Sequence, residues 1–201
     1  MNKKFQDMTL NEYLSLLGST KPAPGGGAAA AFVAAEACAL GEMVCRLVSH
    51  HEAVGDFRDK AESYVDVFVM ARAIFLDLMD DDAANFKALM DLWKKKDTPK
   101  AVMEEAFKKS AEAPLQMGSA MTDLLPAFTE LIHHAPKLLL TDAVLAAEQA
   151  ISAIRGAELN VKINTKYIKD DIYIHETEES MEEWEHAISA IEAVLTYQVT
   201  L

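Results

Sequence analysis

Apolar residues recur along most of this chain every three or four positions, the period of an amphipathic helix. From Asp56 the step runs through Phe57, Ala61, Tyr64, Phe68, Ala71, Phe75 and Leu78, then Phe86, Leu89 and Trp93. A second stripe passes through Met103, Phe107, Met117, Met121, Leu124, Phe128 and Leu131, with Pro114 and Pro126 inside it, so that segment is expected to kink or to split in two. Val144, Ala147, Ile151 and Ile154 form a third stripe, and Met181, Trp184, Ile188, Ile191 and Leu195 a last one. No stretch alternates with the period of a strand. The class expected is all-α: a multihelical antiparallel bundle, one domain over residues 1–201.

The punctuation between stripes sets the expected boundaries. Thr9-Leu10-Asn11-Glu12 has the form of a capping box, which predicts a short helix to Leu17, stopped by Gly18. Lys21-Pro22-Ala23-Pro24-Gly25-Gly26-Gly27 is a loop, and the alanine run after it predicts a helix through about His51. That helix is apolar nearly all round in its first half, which suits a central position. Lys94-Lys95-Lys96 ends the next helix, where cations complement the dipole. Thr98-Pro99 reads as cap and first helical residue of the following one. Pro136 closes that segment, Thr141-Asp142 opens another helix, and Ser180-Met181-Glu182-Glu183 resembles a second capping box opening the last.

Composition narrows the class of partner. In 201 residues, 51% are hydrophobic and 25% charged, as in an ordinary soluble protein, and the net charge is −13. Such a balance argues against a general nucleic-acid binder, which draws affinity from basic groups. An anionic ligand must therefore find a local basic patch. Cys38 and Cys45 stand seven apart on one expected helix, about 10 Å along its axis, too far to bridge. They read as reduced, buried thiols of a cytoplasmic protein. No signal core follows Met1, and no apolar run is read as approaching the ~20 residues of a membrane span, so no membrane partner is expected.

The glycine loop admits two readings. Either it is a tight turn before a closely packed helix, or its bare amides, at the positive end of a helix dipole, meet an anion or a polarised carbonyl. Glu36 is the one charged residue between Lys21 and Glu42, and so is expected to face a cavity or find a partner. Asp82 falls where the stripe calls for an apolar residue. It either caps a second helix after a break, or projects into a pocket that tunes its pKa for proton transfer. Asp142 either favours the dipole of a first turn or joins such a site. Asn160 and Asn164, one turn apart, share a face among apolar neighbours, and Lys162, Lys166 and Lys169 form a basic cluster nearby. His50-His51 and His133-His134 point ~100° apart within each pair, and no ligand motif accompanies them, so no metal is expected.

Taken together, Lys21 to Gly27, Asp82-Ala83-Ala84-Asn85-Phe86, Ala113-Pro114-Leu115, and Thr141-Asp142 followed by Asn160-Val161-Lys162-Ile163-Asn164 resemble the cyclodeaminase/cyclohydrolase family. The resemblance covers Leu14 to about Lys169. It implies an all-helical homodimer acting on one-carbon units of tetrahydrofolate, with folate bound near the glycine loop and no cofactor beyond that substrate. Members either release ammonia from 5-formiminotetrahydrofolate or hydrolyse 5,10-methenyltetrahydrofolate to the 10-formyl form. By the same resemblance Asp82 and Asp142 are the acid/base candidates, with Glu36 third, and Asn160 and Asn164 orient the pterin or the one-carbon group. Lys21, Pro24, the Gly25, Gly26 and Gly27 amides and Lys162 would form the binding surface. A free-standing chain tilts the expectation toward the cyclohydrolase. Two departures stand out: Ala28 where the family commonly has serine, and Ala135-Pro136-Lys137 where it often has a Gly-Asn pair. They keep open a non-catalytic folate-binding or assembly role.

Overall fold

The computed structural model describes residues 3–198; Met1 and Asn2, which head the segment read as lacking a signal core, lie outside them, as do Val199 to Leu201. Six helices follow in order: α1 (Leu10–Leu17), α2 (Gly26–Ser49), α3 (Phe57–Trp93), α4 (Lys100–His134), α5 (Lys137–Thr165) and α6 (Asp171–Gln198). Short 3-10 turns occupy Phe5–Asp7 and Glu52–Val54, and no strand occurs among the described residues.

Packing follows the stripes. α2 lies against α3 and α5, and α4 closes the ring by packing against those same two helices, while α6 covers α4 and the flank of α5. Short connections make ring neighbours antiparallel, so the start of α2, the end of α3, the start of α4 and the end of α5 share one end of the bundle. Alanines make the close approaches possible. Ala28, Ala31, Ala34 and Ala37 on α2 are fully buried, as are Ala143, Ala146, Ala147 and Ala150 on α5. A Cβ at Gly156 would stand 2.8 Å from the Ala30 Cβ, and one at Gly118 would stand 2.2 Å from the Trp184 ring. These contacts leave no room for a methyl group. Phe68, Phe75 and Phe128 fill the wider interior.

Several boundaries differ from the sequence expectation, each for a local reason. The α1 capping box forms as expected, with the Thr9 hydroxyl accepting from the Glu12 N–H and Glu12 from the Thr9 N–H. Thr98 does not cap α4; its hydroxyl donates back to the Leu92 carbonyl at 3.0 Å, and Pro99 is the N-cap. α4 runs unsplit through Pro114 and Pro126, both flanked by buried residues that hold the helix together from outside. α5 begins at Lys137 behind Pro136, not at Thr141, because proline suits the position before a helix. α6 begins nine residues before Ser180. Its cap is Asp170, whose Oδ1 accepts from the Ile172 and Tyr173 N–H groups, while Ser180 bonds the Glu176 carbonyl in mid-helix.

Contrary to the expectation that no apolar run approaches a membrane span, α2 has the length and composition of one, with mean hydropathy 1.6 over its best window. Thirteen of its residues, Ala28 and Val48 among them, are buried against α3, α4 and α5, so one broad face of this helix forms the interior of the bundle, while Met43 and Leu47 remain exposed on the other. Cys38 and Cys45 are both free and buried on it, and burial pushes each thiol up to about 12.

Candidate active site

The ring brings four helix ends around a cavity of about 310 Å³. α2 contributes its first turn. Gly25 is the N-cap and offers no side chain, and the first amide bonded within the helix is that of Ala29, to the Gly25 carbonyl at 3.0 Å. The amides ahead of it are therefore available to an outside acceptor.

The acceptor is Asp82. α3 runs without a break past this residue, so the alternative in which Asp82 caps a second helix does not hold. Its carboxylate faces the Ala28 amide and lies directly over Gly27, where a Cβ would stand 2.1 Å from Oδ1 and 2.6 Å from Oδ2. Burial pushes the Asp82 carboxyl from its ordinary 3.8 up to about 6; the Ala28 amide pulls the other way and only partly offsets it. The group is thus largely ionised at neutral pH while remaining basic enough to take a proton. Tyr13 stands close enough to feel that charge. Burial, and then Asp82, push its phenol up to about 12, and its hydroxyl has no protein partner.

α5 supplies two amides to the same cavity. Asn160 Nδ2 donates to the Gly156 carbonyl at 2.7 Å, and Asn164 Nδ2 to the Asn160 carbonyl at 2.8 Å. Each NH₂ group is thereby tied to its own helix, which fixes the rotamers and leaves the two Oδ1 atoms as acceptors toward the cavity. Asn160 also borders Gly26, where a Cβ would stand 3.4 Å from Oδ1. From α4 comes Ser110, a buried hydroxyl. The far wall is aromatic: the Phe107 and Tyr167 rings stack with centroids 4.5 Å apart, and the Trp93 ring meets both edge-on at 5.5 and 5.6 Å. Phe86, Leu89 and Ile163 complete an apolar slot suited to a flat, polar-edged ligand.

Of the residues singled out from the sequence, Gly25, Gly26, Gly27, Asp82, Asn160 and Asn164 line this cavity together. The others do not. Pro24 is buried behind the loop, and Pro22 and Ala23 face the cavity instead. Lys21 opens onto a larger neighbouring depression that shares Pro22, Ala23, Ala83, Phe86 and Met90 with the cavity. Lys162 is exposed and paired with Glu158 one turn away. Glu36 is exposed on α2, ten residues or about 15 Å along the helix from Gly26. Asp142 lies in the early part of α5, at the opposite end of the bundle, about 27 Å along the helix axis from Asn160. One protomer therefore does not bring Asp142 to Asp82. The departures at Ala28 and Ala135-Pro136 also miss the cavity lining. The Ala28 side chain is fully buried and only its backbone reaches Asp82, while Pro136 caps α5 at the far end.

Ser110, Trp93, Phe107 and Tyr167 were not picked out as site residues. The periodicity assigns Trp93 and Phe107 to the core; Phe107 is buried as expected, in a small cluster with Leu89 and Ile168, whereas Trp93 is 51% exposed and Tyr167 50%, an exposure visible only in three dimensions. No group of three His, Cys, Asp or Glu arranged to hold a metal occurs among the described residues.

Comparison with known proteins gives a consistent result. The family model described as formiminotransferase-cyclodeaminase matches residues 9–183. The mouse formimidoyltransferase-cyclodeaminase is 30% identical over 178 residues, 85% of this chain and 33% of that protein. This chain spans about a third of the length of such animal relatives. A methenyltetrahydrofolate cyclohydrolase of Methylorubrum extorquens is 28% identical over 182 residues, 87% of each chain. The crystal structure of a formiminotetrahydrofolate cyclodeaminase from Thermotoga maritima superposes with a TM-score of 0.90 at 28% identity, covering 96% of both chains.

Proposed function

The chain belongs to the formiminotransferase-cyclodeaminase family, and from that membership and the cavity geometry we propose that it hydrolyses 5,10-methenyltetrahydrofolate to 10-formyltetrahydrofolate, with Asp82 as the proton-transfer group. The observation that carries this reading is the Asp82 carboxylate, raised to about 6 and seated at the α2 N-terminus in a slot with aromatic walls.

The methenyl carbon is an amidinium carbon, already electrophilic, so the step needs a positioned base more than a strong electrophile. Ionised Asp82 takes a proton from water as the water oxygen bonds to that carbon. The protonated carboxyl then returns the proton to N5 as the carbon–N5 bond breaks, the second water proton leaves to solvent, and the carbon remains on N10 as a formyl group. Proton transfer of this kind typically contributes ~10²–10⁴-fold. A pKa near 6 suits both halves of the cycle. The Asn160 and Asn164 Oδ1 atoms would accept hydrogen bonds from the pterin edge, and the aromatic trio would flank the benzoyl ring. The reaction as written calls for no metal or cofactor beyond its folate substrate.

The Thermotoga maritima likeness supports a second reading, the cyclodeaminase, on the same site. There N10 bonds to the formimino carbon and gives up its proton to the departing nitrogen, Asp82 in its protonated form supplies the second proton, and the carbon–nitrogen bond breaks to release ammonia. Stopped-flow absorbance separates the two: loss of the methenyl chromophore above the buffer rate supports the hydrolase, and its appearance from 5-formiminotetrahydrofolate supports the deaminase. Silence with both substrates would leave a non-catalytic folate-binding role.

The working unit in this reading is a cytoplasmic homodimer of one helical domain over residues 1–201. Met43 and Leu47 on α2 and Val67, Met70 and Ile74 on α3 are exposed apolar side chains on adjoining helices, and Glu36 belongs to the same outward face of α2. A second copy covering that face would remove the apolar area from water and bring Glu36 into an interface.

A further inference from the structure

The proton transfer at Asp82 leaves one buried titratable group beside it unused, Tyr13. It is the one buried side chain of α1, whose Leu10 and Leu14 are exposed, and its ring carries that helix onto the bundle. The ring lies 5.4 Å from that of Phe32 on α2, centroid to centroid, and 6.0 Å from that of Phe5, which meets it edge-on. Phe5 is tied in turn to α3: its backbone N–H donates to Asp80 Oδ1 at 2.8 Å, and Gln6 Nε2 donates to Asp77 Oδ1 at 2.8 Å. These contacts bracket the place where Asp82 meets α2. Asp80 lies two residues before the acid on α3, and Phe32 lies five residues after Gly27 on α2, about 7.5 Å along its axis.

Packing accounts for the ring and not for the hydroxyl. A phenylalanine would fill the same space between Phe5 and Phe32, whereas burying a phenol without a partner forfeits the hydrogen bonds it makes in water. Tyr13 is 3% exposed, and its oxygen is sealed from solvent with no protein group bonded to it. The charge that reaches this phenol is that of Asp82. The carboxylate for its part has acceptor capacity to spare, its two oxygens offering about four lone-pair sites, and no side chain among the described residues donates to it.

The other charges around the pair are engaged elsewhere or distant. On α3, Asp80 is occupied by Phe5 and Gln6, and Asp81 feels Lys109 of α4, which pairs with Glu112. On α1, Glu12 pairs with Lys3; ahead of it Lys4 pairs with Asp77, and Asp7 is exposed. α2 brings no charged residue before Glu36, α5 brings Lys162 paired with Glu158, and Lys21 opens onto the neighbouring depression. We propose that the Tyr13 hydroxyl is a positioning group for Asp82, donating a hydrogen bond to the ionised carboxylate through one bridging water. The assignment rests on the reading of Asp82 as the proton-transfer group. Phenol and carboxylate are not directly bonded, and a water completes the link. A donor on that side restrains the carboxylate over the bare Gly27 and favours its ionised form against the burial that opposes it.

The test is a titration of Asp82 itself, by carbon NMR of protein labelled at the aspartate carboxyl carbons, the Asp82 resonance being the one lost in Asp82→Asn. Tyr13→Phe keeps the ring and removes the donor. The bridge predicts that Asp82 titrates higher in Tyr13→Phe than in the unaltered protein by about half a pH unit or more, since losing a donor disfavours the ionised form. The acid limb of kcat/KM moves up by the same amount, and kcat at pH 6 falls by about twofold or more with KM unchanged. Tyr13→Leu removes the ring as well. A shift in Tyr13→Leu with none in Tyr13→Phe would mean packing alone and overturns the proposal, as does an Asp82 resonance that titrates identically in all three proteins. Because the titration needs no turnover, the two readings fail separately. The Tyr13→Phe shift in a protein inert toward both folates refutes the hydrolase and deaminase readings alone, whereas turnover that depends on Asp82 with no shift in Tyr13→Phe refutes the Tyr13 role alone.

Discussion

Gly27 and Asp82 compete for one space: the carboxylate rests where the side chain of residue 27 would be, 2.1 Å from its Cβ position. The glycine is there to let an acid approach the start of α2, and the next amide, from Ala28, favours its ionised form. Gly27→Ala must therefore displace Asp82 or the helix end. Activity is expected to fall at least tenfold, and stability by about 1–3 kcal/mol, outweighing the better helix propensity of alanine. Gly26→Ala serves as the control, since its Cβ would meet Asn160 Oδ1 at an accommodating 3.4 Å. Urea unfolding and initial rates on the pair give the comparison; equal effects of the two substitutions would argue against the packing account.

Asp82→Asn keeps the shape and removes the base. The expected result is a kcat lower by tenfold or more with an unchanged circular dichroism spectrum. In the unaltered protein kcat/KM for the hydrolysis is expected to rise with pH and level off above about 6, where the carboxylate is ionised. Blank-corrected rates between pH 4.5 and 8 would show the limb, and a kcat that survives the substitution would remove Asp82 from the mechanism.

The same carboxylate makes a prediction about stability. Its folded pKa, about 6, lies above the ordinary 3.8, so the folded state binds more protons than the unfolded state between those values. Stability contributed by this group accordingly falls as pH rises from about 4 to about 6, and stays low above that. A shift of two units corresponds to at most about 3 kcal/mol. Asp82→Asn should thus raise the melting temperature at pH 7.5 and lose that advantage at pH 4, a loss of activity accompanied by a gain of stability. A variant less stable at both pH values would contradict the desolvation account.

Met70 and Ile74 are 66% and 50% exposed on α3. If a second copy covers them, Met70→Lys/Ile74→Lys should sediment at half the mass of the parent at micromolar concentration. A parent protein that already sediments as a monomer would refute the dimer.

How far the sequence discloses this molecule depends on the kind of information asked of it. The capping box at Thr9 and Glu12, the start of α2 after the glycines, and the polar gap that Asp82 makes in an apolar stripe are local, and each is legible. Asn160 and Asn164 were placed on one face by their spacing alone. Periodicity gives the face of a helix but not the end of the bundle to which a residue is carried, which is why Asp142 could be grouped with Asp82 although the ring sends them to opposite ends. It likewise does not distinguish a stripe that ends in the core from one that ends at a mouth, so Trp93, half exposed, reads as filling alongside Phe107, which is buried. Glu36 shows a third limit: an isolated charge on an apolar helix implies a partner, but one chain leaves that face of α2 outward. Ser180 and Thr98 had the right chemistry for caps and were outcompeted by Asp170 and Pro99, whose backbone positions suit the helix starts better.

The ring of antiparallel helices also has a consequence for how the site comes into being. Each helix pairs with the next through a short connection, so these hairpins can form from contacts close in sequence. The meeting of Gly26 with Asn160 instead joins the first ring helix to the last, and it carries the loop-closure entropy of nearly the whole ring. The cavity is therefore assembled by the contact that needs the longest stretch of chain to be in place. A substrate bound there bridges the first and last ring helices and draws on the cooperativity of the entire fold, so that occupancy should slow hydrogen exchange in α2 and α5 well away from the ligand.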